Sequence, residues 1–183
     1  MKETFSELIK YLKAPVLEED NNRDNFYRFK KFFHLLIISI LTATLLSPLF
    51  GLIEHLGWID MDTHAMEELM KNMSKTKVFL FAVIVAPLLE ELFFRAPITL
   101  FQNKKYFKLV FYIFAIVFGF VHLSNFKITT NVLILAPILV APQIILGGYL
   151  GFIRVRFGLI WSILLHASYN AFFVLISFAV DLI

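Results

Sequence analysis

Five apolar stretches govern what this chain can fold into, at roughly 32–53, 78–101, 106–124, 130–153 and 157–181. An α-helix needs about 20 predominantly apolar residues to cross the hydrocarbon core of a bilayer, so each run is long enough to span. Composition agrees: 59% of the 183 residues are hydrophobic and 17% charged, against about 45–50% and about 25% in soluble domains. Disorder, collagen-like repeats and an ordinary water-soluble enzyme are excluded. The expected fold is all-α, a polytopic transmembrane helix bundle of about five spans. The fourth run carries Pro137 and Pro142, then Gly147, Gly148 and Gly151, which predicts kinks and close helix approach in a broken helix or a re-entrant pair.

Residues 1–31 hold seven Lys/Arg and six Asp/Glu around Phe5, Leu8, Ile9 and Leu12, whose 3-4 spacing suits a surface helix. This stretch reads as a cytoplasmic or interfacial arm preceding a transmembrane domain over 32–183. It does not read as a signal peptide, because the first long apolar run starts at Phe32 without a small-x-small cleavage pattern. The acidic 54–77 connection has Met66, Leu69, Met70 and Met73 spaced for a short amphipathic helix. With the N-terminus cytoplasmic, the inner segments carry twelve Lys/Arg and the outer ones four, the bias that sets topology. The net charge of +3 is thus a topology signal, and no nucleic-acid partner is expected.

The second run, VFLFAVIVAPLLEELFFRAPITLF, places Glu90, Glu91 and Arg95 in apolar surroundings. Its fifteen Leu/Ile/Val/Phe favour insertion by about 0.3–0.6 kcal/mol each, and each central charge opposes it by about 2.5–3.5 kcal/mol. Three charges cancel the gain, so the segment needs protein neighbours or a watery cavity, the usual mark of an intramembrane functional site. Glu91 and Arg95, four apart with the acid first, are placed for an ion pair on one helix face. Glu90 points about 100° away and must find its partner on another helix. The third run adds Phe118 and, one turn on, His122; the last adds His166 and Asn170, four apart, with Asp181 at its end. Phe118 reads as packing. His34, His55 and His64, at a boundary or in a loop, read as ordinary polar positions.

The absence of Cys removes disulfides, thiolate metal ligands and a thiol nucleophile. No Asp lies centrally in a span, no H-E-x-x-H is present, and Ser124 and Ser168 lack a nucleophile-elbow context. Water activation remains. A carboxylate and a neutral His can deprotonate a water, while a second His and an Asn donate to a developing oxyanion. Alternatively Glu90, His122 and His166 form a three-ligand zinc site with an open water position. The sequence leaves both open.

Glu90-Glu91-x-x-x-Arg95, Phe118-x-x-x-His122 and His166-x-x-x-Asn170, in that order on successive apolar runs, resemble the three motifs of the CPBP family. That family comprises CAAX prenyl endopeptidases and the Abi, bacteriocin-processing and lysostaphin-resistance-like membrane proteins. The similarity covers about residues 78–175. It implies an all-helical intramembrane endopeptidase in which Glu90 and His122 activate the water and His166 and Asn170 stabilise the oxyanion. Glu91 and Arg95 would orient the first motif, with Phe118 in support. Such proteins are described both as metalloproteases, with one divalent ion such as zinc, and as metal-free glutamate proteases. The partners implied are the lipid bilayer and a peptide or membrane-protein substrate, in a bacterial cytoplasmic membrane. Two other readings use the same cavity: a non-catalytic binding or bacteriocin-immunity protein, and a proton- or cation-coupled carrier, against which the lack of an internal repeat argues.

Overall fold

The computed structural model describes residues 1–180, Lys104 by its backbone alone; Asp181 lies outside the described residues. The elements are α1 (Lys2–Lys13), α2 (Asn25–His55), a 3-10 turn (Met61–Thr63), α3 (Ala65–Asn72), α4 (Lys75–Phe79), a π-helical turn (Leu80–Val85), α5 (Ala86–Phe94), a 3-10 turn (Pro97–Leu100), α6 (Lys104–Val121), a 3-10 turn (His122–Asn125), α7 (Thr130–Leu139), α8 (Ala141–Phe157) and α9 (Leu159–Val180). Among the described residues there is no strand. The chain is an all-α membrane protein.

Four helical stretches are long and apolar enough to cross a membrane: Asn25–His55, Lys105–Asn125, Thr130–Phe157 and Leu159–Val180. They match the first, third, fourth and fifth expected runs. The second is a helical rod made of α4, the π turn and α5, and it is not among the four. It stops at Phe94, earlier than the apolar run does, shortly before Pro97, which has no N–H to continue the ladder. The fourth run is neither straight nor re-entrant: α7 and α8 meet at Val140, and Pro142 opens α8.

α6 and α8 form the closest helix pair, running antiparallel, and glycine permits it. A Cβ on Gly119 would lie 2.3 Å from Ile144 Cγ1, one on Gly147 3.2 Å from Phe118 Cδ1, and one on Gly151 2.7 Å from Phe111 Cε2. The main core gathers around this seam, with Leu35 and Phe32 of α2, Phe107, Phe111 and Phe118 of α6, Leu150 and Ile153 of α8 and Leu165 of α9. Much of the remaining apolar surface faces outward, such as Leu45 at 80% exposure and Ile134 at 72%, as a lipid solvent requires.

α1 packs into the same core. Its inward residues are Thr4, Leu8 and Tyr11, with Leu12 beside them, while Phe5 faces out. A polar knot fastens it at the start of α2 and the end of α8. Lys31 pairs with Glu7, Arg156 reaches both Glu7 and Asp20 at 3.1 Å, and the Tyr27 hydroxyl donates to Asp20 at 3.0 Å. Burial works against the ionised Asp20 carboxyl, but hydrogen bonds from the Asn22 amide and Tyr27, with Arg156, prevail and hold it below the usual carboxylate range. A lowered folded-state pKa gives stability that is present above the unfolded value, about 3.9, and is lost as pH falls through the folded one. Asp20→Asn should therefore lower the melting temperature in detergent at pH 7, with the gap to wild type closing below about pH 4.

The 31 residues of α2 span about 46 Å at 1.5 Å per residue, which separates the arm from α3. In this Cys-free chain, single cysteines at Lys10 and Glu67 should label with an impermeant maleimide from opposite sides of sealed vesicles. From the positive-inside bias, Lys10 is expected to label from the cytoplasmic side.

Candidate active site

The π turn before α5 shapes the site. The Ala86 N–H bonds to the Phe81 carbonyl five residues back, and the same pattern would have residue 87 serve Ala82. Residue 87 is proline, which has no N–H. The Ala82 carbonyl accepts instead from Asn170 Nδ2 on α9, at 2.8 Å. The vacated bond therefore fixes one face of the Asn170 amide.

Glu91 is fully buried. Its Oε1 lies 3.6 Å from Arg95 Nε and accepts from His166 Nδ1 at 3.0 Å, and its Oε2 accepts from the Ser162 hydroxyl. The i,i+4 ion pair expected from spacing is present, and two donors from α9 complete it. Buried pairs repay their desolvation only with such extra bonds. The Arg95 guanidinium carbon sits 3.8 Å over the Phe118 ring centroid, a cation–π contact, so Phe118 supports the pair as well as filling the core. From α8, Arg154 Nε donates to the Arg95 carbonyl at 2.9 Å and Nη2 to Thr99 Oγ1 at 2.7 Å, closing the end of α5.

Glu90 faces the other way. Its Oε2 lies 3.7 Å from His122 Nε2 and 3.7 Å from His166 Nε2. The tautomers follow from the outer partners. His122 Nδ1 is 2.8 Å from the Phe118 carbonyl, which can only accept, and His166 Nδ1 faces the Glu91 carboxylate. Both Nδ1 atoms therefore carry a proton, and each ring turns its Nε2 toward Glu90. Glu90 Oε2, buried and without a hydrogen-bond partner, and the two Nε2 atoms thus converge at a spacing too long for direct hydrogen bonds. Among the described residues no group of three His, Asp or Glu side chains is placed to hold a metal ion.

Glu90, His122, His166 and Asn170 line one cavity of about 710 Å³, otherwise walled largely by apolar side chains such as Met66, Phe81, Leu89 and Val174. The fold thus brings together all seven residues singled out from the sequence. It also recruits three that were not. Ser162 and Arg154 serve the Glu91–Arg95 pair; the ladder Ser162, His166, Asn170, four apart on α9, was a readable signal for the first. His64 lines the cavity from the connection between α2 and α3, capping α3 through Nδ1, which accepts from the Met66 N–H at 3.2 Å. Burial, then the neighbouring His122, hold its imidazole below the ordinary range.

Residues 72–172 match the family model of type II CAAX prenyl endopeptidase Rce1-like proteins. The chain belongs to this family. No curated protein and no solved structure matches it. The stretch matched to the CAAX endopeptidase family holds Glu90, Glu91, Arg95, Phe118, His122, Arg154, Ser162, His166 and Asn170, and His64 lies outside it.

The exchange between Ala82 and Asn170 can be weighed by stability alone. Asn170→Ala leaves the Ala82 carbonyl unpaired and should cost about 1–3 kcal/mol. In the Pro87→Ala background the new N–H can serve that carbonyl, so a double-mutant cycle of unfolding in detergent should return a coupling of about 1 kcal/mol.

Proposed function

We propose that this chain is an intramembrane endopeptidase whose nucleophile is a water held between Glu90, His122 and His166. The observation that carries the reading is the convergence of Glu90 Oε2 on two histidine Nε2 atoms, 3.7 Å each, from two other helices. Glu90 is the general base: it takes one water proton while the water oxygen attacks the peptide carbonyl, and His122 accepts the second hydrogen bond and aligns the lone pair. Negative charge then develops on the carbonyl oxygen. The Asn170 N–H that Ala82 does not use and, when protonated, the His166 Nε2–H donate to it, with the Glu91 carboxylate balancing the imidazolium beneath. Collapse breaks the C–N bond, and the proton held by Glu90 passes to the departing amine.

Glu91, Arg95 and Phe118 touch no substrate in this scheme. They hold His166 and α5 in register, and Ser162 and Arg154 complete that scaffold. The bilayer is the medium, and a peptide or membrane-protein segment bearing a C-terminal CAAX-type sequence is the substrate class.

Glu90→Gln keeps size and polarity but removes the base, and should lower cleavage of a farnesylated CAAX peptide by about 10²–10⁴-fold without changing expression or melting temperature. Unchanged turnover would remove Glu90 from the role of base, whereas absence of cleavage by the wild-type chain would leave the binding or immunity reading in its place. Extensive chelation of wild-type protein should leave cleavage intact in the glutamate scheme; loss restored by zinc would move Glu90, His122 and His166 to the role of ligands.

A further inference from the structure

Gln143 stands in the first turn of α8 and lines the catalytic cavity, yet its carbonyl oxygen Oε1 is buried with no hydrogen-bond partner among the described residues. Its place is fixed by the glycine seam. Gly119 against Ile144, Gly147 against Phe118 and Gly151 against Phe111 set α8 antiparallel to α6, which puts Gln143 level with the last turn of α6, from which His122 projects. Residues 143 and 147 share a helix face, so the amide continues the face that meets Phe118.

A buried acceptor without a donor carries an uncompensated desolvation penalty, and such a group calls for an explanation, a bound partner being one. The cavity wall is otherwise mostly apolar. A peptide drawn out for cleavage brings its own unpaired N–H and C=O groups into that wall, each costly unless matched. A side-chain amide matches both polarities.

Resting on the endopeptidase reading above, we infer that Gln143 is a substrate-positioning residue: its Oε1 accepts a backbone N–H of the extended substrate beside the scissile bond. It takes no part in proton transfer.

The test uses the full chain in detergent with a farnesylated CAAX peptide and a set of analogues in which one amide, never the scissile one, is replaced by an ester that lacks the N–H. Binding is read by fluorescence anisotropy in the Glu90→Gln background, and KM and kcat with Glu90 intact. One ester analogue should bind wild-type Gln143 about tenfold more weakly than the peptide does. Gln143→Met should bind the peptide about tenfold more weakly and show no further loss on that ester, with KM raised and kcat held within about twofold, as for an interaction equal in ground and transition states. Gln143→Glu, which keeps an acceptor, should keep the ester penalty. Because the methionine replaces an unpaired polar group, Gln143→Met should melt at or above wild type; a melting temperature lowered by several degrees means the carbonyl has a structural partner and overturns the inference. So does an ester penalty of equal size with and without Gln143, or the absence of peptide binding. Binding without cleavage by the Glu90-intact chain overturns the endopeptidase reading alone.

Discussion

A carboxylate with no exposure to solvent, in the middle of an apolar helix, is the constraint on which the rest of this structure depends. Glu91 could not remain ionised among Leu, Phe and Val without compensation, since an unpaired buried charge costs several kcal/mol. Arg95 supplies the charge from the same helix, but its geometry leaves both carboxylate oxygens with capacity to spare. His166 and Ser162 fill it from α9, Phe118 of α6 lies under the guanidinium, and Arg154 of α8 binds the Arg95 carbonyl. A polar demand on α5 thus draws three other helices to one point. In lipid, where apolar contact between helices gains little over contact with acyl chains, such bonds and close small-residue packing hold a bundle together.

The same demand orders the cavity next door. Once His166 Nδ1 is committed to Glu91 and His122 Nδ1 to the Phe118 carbonyl, both rings have a fixed tautomer and orientation. Their Nε2 atoms then face Glu90 with no side-chain freedom left to spend. Asn170 is held in a comparable way, by a carbonyl that the π turn and Pro87 leave without a backbone donor. Each group at the cavity wall is thereby oriented by a partner outside it, the arrangement that preorganised sites require.

Much of this was legible in the sequence, and the reasons are local. Four of the five apolar runs became helices long and apolar enough to span. The 4-residue spacing of Glu91 and Arg95 fixes a shared face, and the 100° step puts Glu90 elsewhere. Gly147 and Gly151 announced a close helix seam, which formed against α6. Other features were not legible. The second run contains a π turn and ends at Phe94, and a π turn has no signature of its own. Tyr11, rather than Phe5, became an inward residue of α1 because the polar knot at Glu7, Lys31 and Arg156 sets the roll of that helix. His64 looked like a loop residue, and it became part of the cavity wall because α3 folds back over the site.

The sequence by itself determined that this chain is a helical membrane protein with three charges inside an apolar run that must be met, and which histidines and amide were available to meet them. Periodicity and transfer energies act within a single segment, so one chain suffices to read them. Only the tertiary structure decided which atom meets which. Ser162 and Arg154 complete the ion pair, Ala82 rather than a neighbour of its own helix binds Asn170, and two rings turn their Nε2 atoms to one oxygen of Glu90. Those choices depend on the rotation and depth of helices relative to one another. They are set by the glycine seam and the buried hydrogen bonds jointly, and no segment carries that information alone.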